Sequence, residues 1–307
     1  MKRVLITGAR GFIGRQALRP LMQRGFEIVA STSGDAANAD PAARWISCDL
    51  LAPGAAERLV AEARPTHLLH LAWYTDHGKF WNGRENLPWL AASVQLVDAF
   101  AAAGGRRAVI AGSCAEYDWS APQPCRESST PLRPHTMYGT CKKALLEVAS
   151  AHAARAGVAL AWGRIFLLHG PHEGPARFVP SLIRAMLAGR PAPMSCGLQQ
   201  RDFLHVADVA DAFVTLLDGA VTGPVNIGSG EPVRLLDVAT HIARRLDGIA
   251  LLQAGALPAR PDDPDALYPD VARLSDEVGW APRLSLQAGL DDSIAWWRSQ
   301  VAAGAAK

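Results

Sequence analysis

A chain of 307 residues with 49% hydrophobic content can bury one large core and a smaller appendage. Its 31 Lys and Arg stand against 29 Asp and Glu, a net charge of +2 mixed along the chain, which excludes the basic tracts that nucleic acid or an anionic membrane surface would require. Five scattered cysteines (Cys48, Cys114, Cys125, Cys141, Cys196) with no C-x-x-C pair argue against a disulfide framework or a metal site and for a reducing, cytoplasmic setting. The first strand is expected from about residue 3, so no signal peptide is expected, and no apolar run approaches the ~18 residues of a spanning helix.

Val4-Leu5-Ile6 is an apolar run of strand length that leads into Thr7-Gly8-Ala9-Arg10-Gly11-Phe12-Ile13-Gly14, with an amphipathic helix expected from about Phe12. Strand, glycine turn and helix follow in the order a dinucleotide site needs. Gly8 permits the turn, Gly11 lets backbone approach a pyrophosphate, and Gly14 lets the helix pack on the strand, with helix N–H groups facing the phosphates. Phe26 to Ser31 reads as a second strand, at whose end the adenosine ribose should lie. An NAD site places an acid there, whereas this chain has Thr32 and Ser33, with no carboxylate until Asp35. Hydroxyls and the nearby Arg10 suit a 2′-phosphate, so NADP (NADPH) is favoured over NAD, with Arg10 otherwise a solvated loop charge.

Trp45 to Leu50 reads as a third strand, whose Asp49 is placed either to accept from the adenine amino group or to cap the following helix, Ala56 to Ala63. Thr66 to Ala72 reads as a fourth strand. The polar and aromatic stretch after it, Trp73 to Trp81, forms either a wall of the ligand cleft or a packing cluster. A long helix follows from about Pro88 to Ala103, with Leu90, Val94, Val97 and Ala101 on its buried face and Gly104-Gly105 ending it. Arg107 to Gly112 is a fifth strand. The alternation implies an α/β fold, a doubly wound parallel sheet with right-handed connections.

Ser113 stands at the carboxyl end of that fifth strand, and Tyr138-Gly139-Thr140-Cys141-Lys142 opens a helix running to about Ala156. Tyr138 and Lys142 lie one turn apart on one face. The ammonium is expected to lower the Tyr138 pKa, the phenol to exchange a proton with a carbinol or carbonyl oxygen held by Ser113, and a hydride to pass between that carbon and a nicotinamide. Taken alone, Y-x-x-x-K is also what a surface ion-pair spacing looks like.

Together these motifs resemble the extended short-chain dehydrogenase/reductase family. The resemblance continues through Leu168-His169-Gly170-Pro171, Arg201-Asp202-Phe203-Leu204-His205-Val206-Ala207-Asp208-Val209, Asn226-Ile227-Gly228-Ser229-Gly230 and Gly279-Trp280-x-Pro282, nearly to the C-terminus. It implies a doubly wound parallel Rossmann sheet over 1–164 plus 202–223, binding the dinucleotide, and a smaller α/β C-terminal substrate-binding part over 165–201 plus 224–307. It also implies a nucleotide-sugar substrate and a homodimer built on the fourth helix and the Tyr138 helix, with Leu146 and Val148 exposed. The cofactor set is Gly8, Arg10, Gly11, Phe12, Ile13, Gly14, Thr32, Ser33, Asp49, Leu50, Leu71, Ala72, Tyr138 and Lys142. The substrate set is Trp73, Tyr74, Cys114, His172, Arg201, Arg260 and Asp263, with Arg201 on the diphosphate and Arg260 and Asp263 on phosphate and ribose.

Departures narrow the reaction. The Asp-Glu pair of the 4,6-dehydratases is replaced by Cys114 and Ala115, and the cysteine of the 3,5-epimerase-reductases would have to stand at Ala115. His172 matches their acid histidine. The helix asparagine of the family falls at Trp89, with Asn86 one turn earlier, which leaves the water relay to Lys142 open. The leading expectation is NADPH-dependent reduction of a nucleoside-diphosphate 4-keto-6-deoxysugar, with C4 epimerisation as the alternative. A cofactor-sensing protein without chemistry is the third reading, opposed by an intact Ser113, Tyr138 and Lys142. The terminal residues from Ala302 are expected to fray.

Overall fold

The structure, a computed structural model, describes residues 2–35, 40–259 and 263–305. The first half runs β1 (Arg3–Thr7), α1 (Gly14–Gln23), β2 (Glu27–Thr32), β3 (Arg44–Ser47), α2 (Ala55–Ala63), β4 (His67–His70), α3 (Asn86–Ala102), β5 (Arg107–Ser113), α4 (Met137–Ala156) and β6 (Ala159–Ile165). Then come β7 (Leu167–His169), α5 (Phe178–Leu187), β8 (Ala192–Met194), β9 (Gln200–His205), α6 (Val206–Asp218) and β10 (Gly223–Ile227). The chain finishes with β11 (Pro232–Arg234), α7 (Leu235–Arg245), β12 (Leu252–Ala254), β13 (Ala266–Leu267) and α8 (Leu286–Ala305).

Seven strands form one all-parallel sheet in the order β10-β6-β5-β4-β1-β2-β3. The two-residue period of a strand explains how both faces are covered: Val4 and Ile6 pack against α1 and α6, while Leu5 between them packs on the side of α2, α3 and α4. The strand order reverses between β1 and β4, where open α/β sheets bind their ligands. Gly8 marks that point, with a positive φ of 71°, and a Cβ on it would stand 2.8 Å from the Ala72 nitrogen beyond β4.

A second core joins α5, α7 and α8 around Met194 and Phe203, and β9 carries β11, β13 and β7 in a smaller sheet. The family-like segments tie these parts together. The Asp202 carboxylate accepts from the Ser229 and Gly230 N–H groups, that of Asp208 from the Arg283 and Leu284 N–H groups, and that of Asp211 from the Trp280 indole.

Several expected boundaries move. Helix α1 starts at Gly14, so Phe12 and Ile13 belong to the turn. Strand β3 ends at Ser47, and exposed Asp49 accepts from the Leu51 N–H in a turn, while α2 is preceded by Gly54. The face of α3 turned inward is Ala92, Ser93, Leu96, Val97 and Phe100, with Leu90, Val94 and Ala101 half-buried. Strand β10 lies wholly in the large sheet, so that sheet extends four residues past the boundary expected at 223. Leu146 is buried, Val148 is exposed, and α8 continues to Ala305.

Candidate active site

The turn after β1 and the start of α1 present backbone N–H groups to the switch point. Among the described residues those of Phe12 and Ile13 have no acceptor in the protein, which suits a pyrophosphate held on a helix N-terminus. Leu71 and Ala72 follow β4 on the other side of Gly8. At the β2 end, the Thr32 hydroxyl accepts from the Gly34 N–H and Ser33 is exposed. The Arg10 guanidinium stacks 5.6 Å over the Trp45 ring, on the neighbouring strand β3. Buried Leu50 and exposed Asp49 lie just past β3. The residues present therefore fit a dinucleotide.

Ser113 ends β5 and caps a short 3-10 turn, Cys114–Glu116. Helix α4 begins where Thr136 accepts from the Gly139 N–H. Gly139 is needed for a close approach, since a Cβ there would lie 2.1 Å from the Ala115 carbonyl oxygen. That approach brings Tyr138 beside Ser113, which favours the charged form of the phenol. Burial pushes the phenol well above its ordinary pKa, with Ser113 opposing. Lys142 is not what tunes it. The Lys142 ammonium donates to the Ala111 carbonyl at 2.9 Å and lies 3.8 Å over the Trp73 ring, and its own pKa is pushed down to about 7 by burial. The expectation that Lys142 lowers the Tyr138 pKa is thus replaced by a buried, protonated phenol.

Around Tyr138 stand aromatic rings: Phe80 at 5.0 Å, Trp81 at 5.9 Å and Trp73 at 6.4 Å between centroids, all edge-on. Trp119 abuts Trp81 and its indole donates to the Cys114 carbonyl. Tyr74 joins the same cluster. Trp73 also carries Lys142, so the stretch after β4 packs against α4. Cys114 packs with Tyr117, Cys125, Phe166 and Leu267, and burial pushes its thiol up to about 12.

Glu116, fully buried, accepts from the Ser113 N–H and from the side chains of Trp162 and Arg164. The position of His172 differs from the one expected. It is exposed, has φ +72°, stacks on Trp296 at 4.7 Å and feels the Arg15 charge. Its neighbour Glu173 is the buried group, pushed up to about 8 by burial. Glu173 interacts with Arg177, whose charge also reaches Tyr138 and whose guanidinium lies 5.2 Å over Phe80. Arg201 and Asp263, expected on separate parts of a ligand, form a salt bridge with each other. Arg260 lies outside the described residues. Sequence reasoning missed Glu116, Trp119, Glu173 and Arg177. Only Glu116, three residues past Ser113 in a capping-box spacing, carried a usable signal.

A strand-end serine, a buried tyrosine and a lysine one turn on, beside a glycine turn at the switch point, define a dinucleotide-dependent oxidoreductase of the short-chain type. Residues 4–228 match the model of the NAD dependent epimerase/dehydratase family, and the chain belongs to that family. It is 25% identical over 98% of its length to UDP-glucuronic acid decarboxylase 1 of Danio rerio, covering 73% of that protein. It is 28% identical over 97% of its length to a probable GDP-L-fucose synthase 1 of Oryza sativa subsp. japonica, covering 93% of it. The solved structure of MoeE5 in complex with UDP-glucuronic acid and NAD is 30% identical, covers 97% of this chain and 99% of its own, and superposes with a TM-score of 0.84. No helix among the described residues is long and apolar enough to cross a membrane.

Proposed function

We propose that the chain reduces the 4-keto group of a nucleoside-diphosphate 4-keto-6-deoxysugar with NADPH. The observation that carries this reading is the buried phenol of Tyr138, set beside Ser113 and held protonated by its burial. A group in that state is poised to donate a proton to a carbonyl oxygen, which is what the reducing direction asks of it. NADPH, when bound, supplies the hydride. Ser113 polarises the same oxygen, and the charge of Arg177 reaches the phenolate that remains. Elimination of water has no support, because Glu116 is committed to Arg164 and Trp162 and Cys114 stays a neutral thiol at working pH. The aromatic wall of Phe80, Trp81 and Trp73 suits the apolar C6 methyl of a 6-deoxysugar. The test is direct: with such a substrate, one NADPH should be consumed per sugar, and no net absorbance change at ~340 nm would overturn the reading. C4 epimerisation is the second reading, favoured by the bound NAD in the MoeE5 structure.

NADPH is expected to bind at least ~10-fold more tightly than NADH, about 1.4 kcal/mol. Thr32, Ser33 and the Arg10 guanidinium stacked on Trp45 offer hydroxyls and charge where an NAD site has a carboxylate. Fluorescence titration checks this, equal dissociation constants would contradict it, and Thr32→Asp should move the preference towards NADH.

The outer face of α3 and α4 supports a homodimer. Val148 is 47% exposed there, beside half-buried Val94 and the His152–Asp98 pair. Sedimentation at micromolar concentration should give twice the 32.7 kDa chain mass, and a clean monomer would refute it. Five unpaired cysteines support a reducing, cytoplasmic location.

A further inference from the structure

Lys142 is 3% exposed, and among the described residues no carboxylate lies within ion-pair distance of its ammonium. It donates to the Ala111 carbonyl, and the indole face of Trp73 covers it at 3.8 Å. Trp73 is itself fixed. Its Nε1 donates to Asn86 Oδ1 at 2.9 Å, and the Asn86 amide donates to the carbonyls of Phe80 at 2.7 Å and Gly83 at 2.8 Å. Asn86 is fully buried, so the amide has no solvent alternative. Its ring neighbours are Trp89, tilted and 6.4 Å away, and Tyr138, edge-on at the same distance. A line of contacts therefore runs from the first turn of α3 to the reacting helix.

We propose that Trp73, pinned by Asn86, is a positioning residue that holds the Lys142 ammonium in place beside Tyr138 through its ring face. This rests on the reading of Ser113, Tyr138 and Lys142 as the reacting set. An aromatic face attracts a desolvated cation, so it opposes the burial that otherwise drives off the proton. The remaining groups that face Lys142 are known. Tyr138 and Cys141 lie on α4, Glu116 acts from the turn after β5, and His70 on β4 is held neutral, pushed down to about 3 by burial. Of these only Glu116 is an anion, and it is shared with Arg164. Because the charged form of a lysine is lost as pH rises through its pKa, removing the ring should bring that loss to lower pH.

The chain has five lysines, Lys2, Lys79, Lys142, Lys143 and Lys307, so carbon-13 labelling at the lysine Cε gives a resolvable spectrum, with Lys142→Arg to assign the signal. In the wild-type protein Lys142 should titrate near neutrality. In Trp73→Leu it should titrate lower by about one unit, and Trp73→Phe, which keeps a ring, should recover part of the shift. If Trp73→Leu does not fold, fluorinated tryptophans placed at position 73 alone keep the shape and weaken the ring face, and the titration should fall stepwise with fluorine content. An unmoved Lys142 titration in the folded variants overturns the proposal. The measurement needs no substrate, so a failed reductase assay leaves its outcome intact. Where turnover is available, the alkaline limb of kcat should move with the titration.

Discussion

Phenylalanine in place of Tyr138 is expected to leave NADPH binding intact and to lower kcat by ~10²–10⁴. The ring keeps its edge contacts with Phe80, Trp81 and Trp73, so the wall and the start of α4 are unchanged. Only the phenolic hydroxyl beside Ser113 is removed. Lys142→Ala should lose comparable activity and also weaken the cofactor, since it takes away a buried ammonium beside Tyr138 together with its bond to the Ala111 carbonyl. Deuterated NADPH separates the reductase from the epimerase. A reductase leaves one deuterium on C4 of the product, whereas an epimerase interconverts 4-hydroxy sugars with a catalytic amount of cofactor. Mass spectrometry showing no C4 label, together with unaltered turnover in Tyr138→Phe, would defeat the reductase reading.

Glu116→Ala is expected to destabilise the fold by about 3–5 kcal/mol, the cost of breaking a buried ion pair from one side. Glu116 and Arg164 are both essentially inaccessible, and Arg164 Nε donates to the carboxylate at 2.7 Å. Without it the guanidinium keeps, among the described residues, the Tyr117 hydroxyl, which in turn donates to Asn226. The Trp162 indole and the Ser113 N–H lose their acceptor as well. Urea denaturation midpoints measure this. Replacing both partners, Glu116→Met with Arg164→Met, should be much milder, because no uncompensated charge remains. A single variant as stable as wild type would show that water or a neighbour satisfies Arg164. Ser113 sits at the end of this network, so the folded single variant should also turn over more slowly.

Much of the fold and part of the site can be read along the chain, because the interactions that specify them are local. The glycine turn, the apolar strand runs and the Tyr138–Lys142 spacing each depend on backbone conformation and side-chain period within one element. For the same reason strand ends and the start of α1 moved by two or three residues, since terminal hydrogen bonds are decided by neighbours. The face of α3 moved because two helices, α2 and α4, as well as the sheet compete for it. What only the tertiary structure decided are the electrostatics of the site. A one-turn spacing puts Lys142 near Tyr138, but packing turns its ammonium to Trp73 and Ala111 and leaves the phenol buried and protonated. His172 matches a motif by number, yet the left-handed backbone there aims it at Trp296 and leaves Glu173 inside. Arg201 meets Asp263 across 62 positions, and Glu116 meets Arg164 across 48. Burial and long-range charge set those pairings, and neither has a period that a sequence displays.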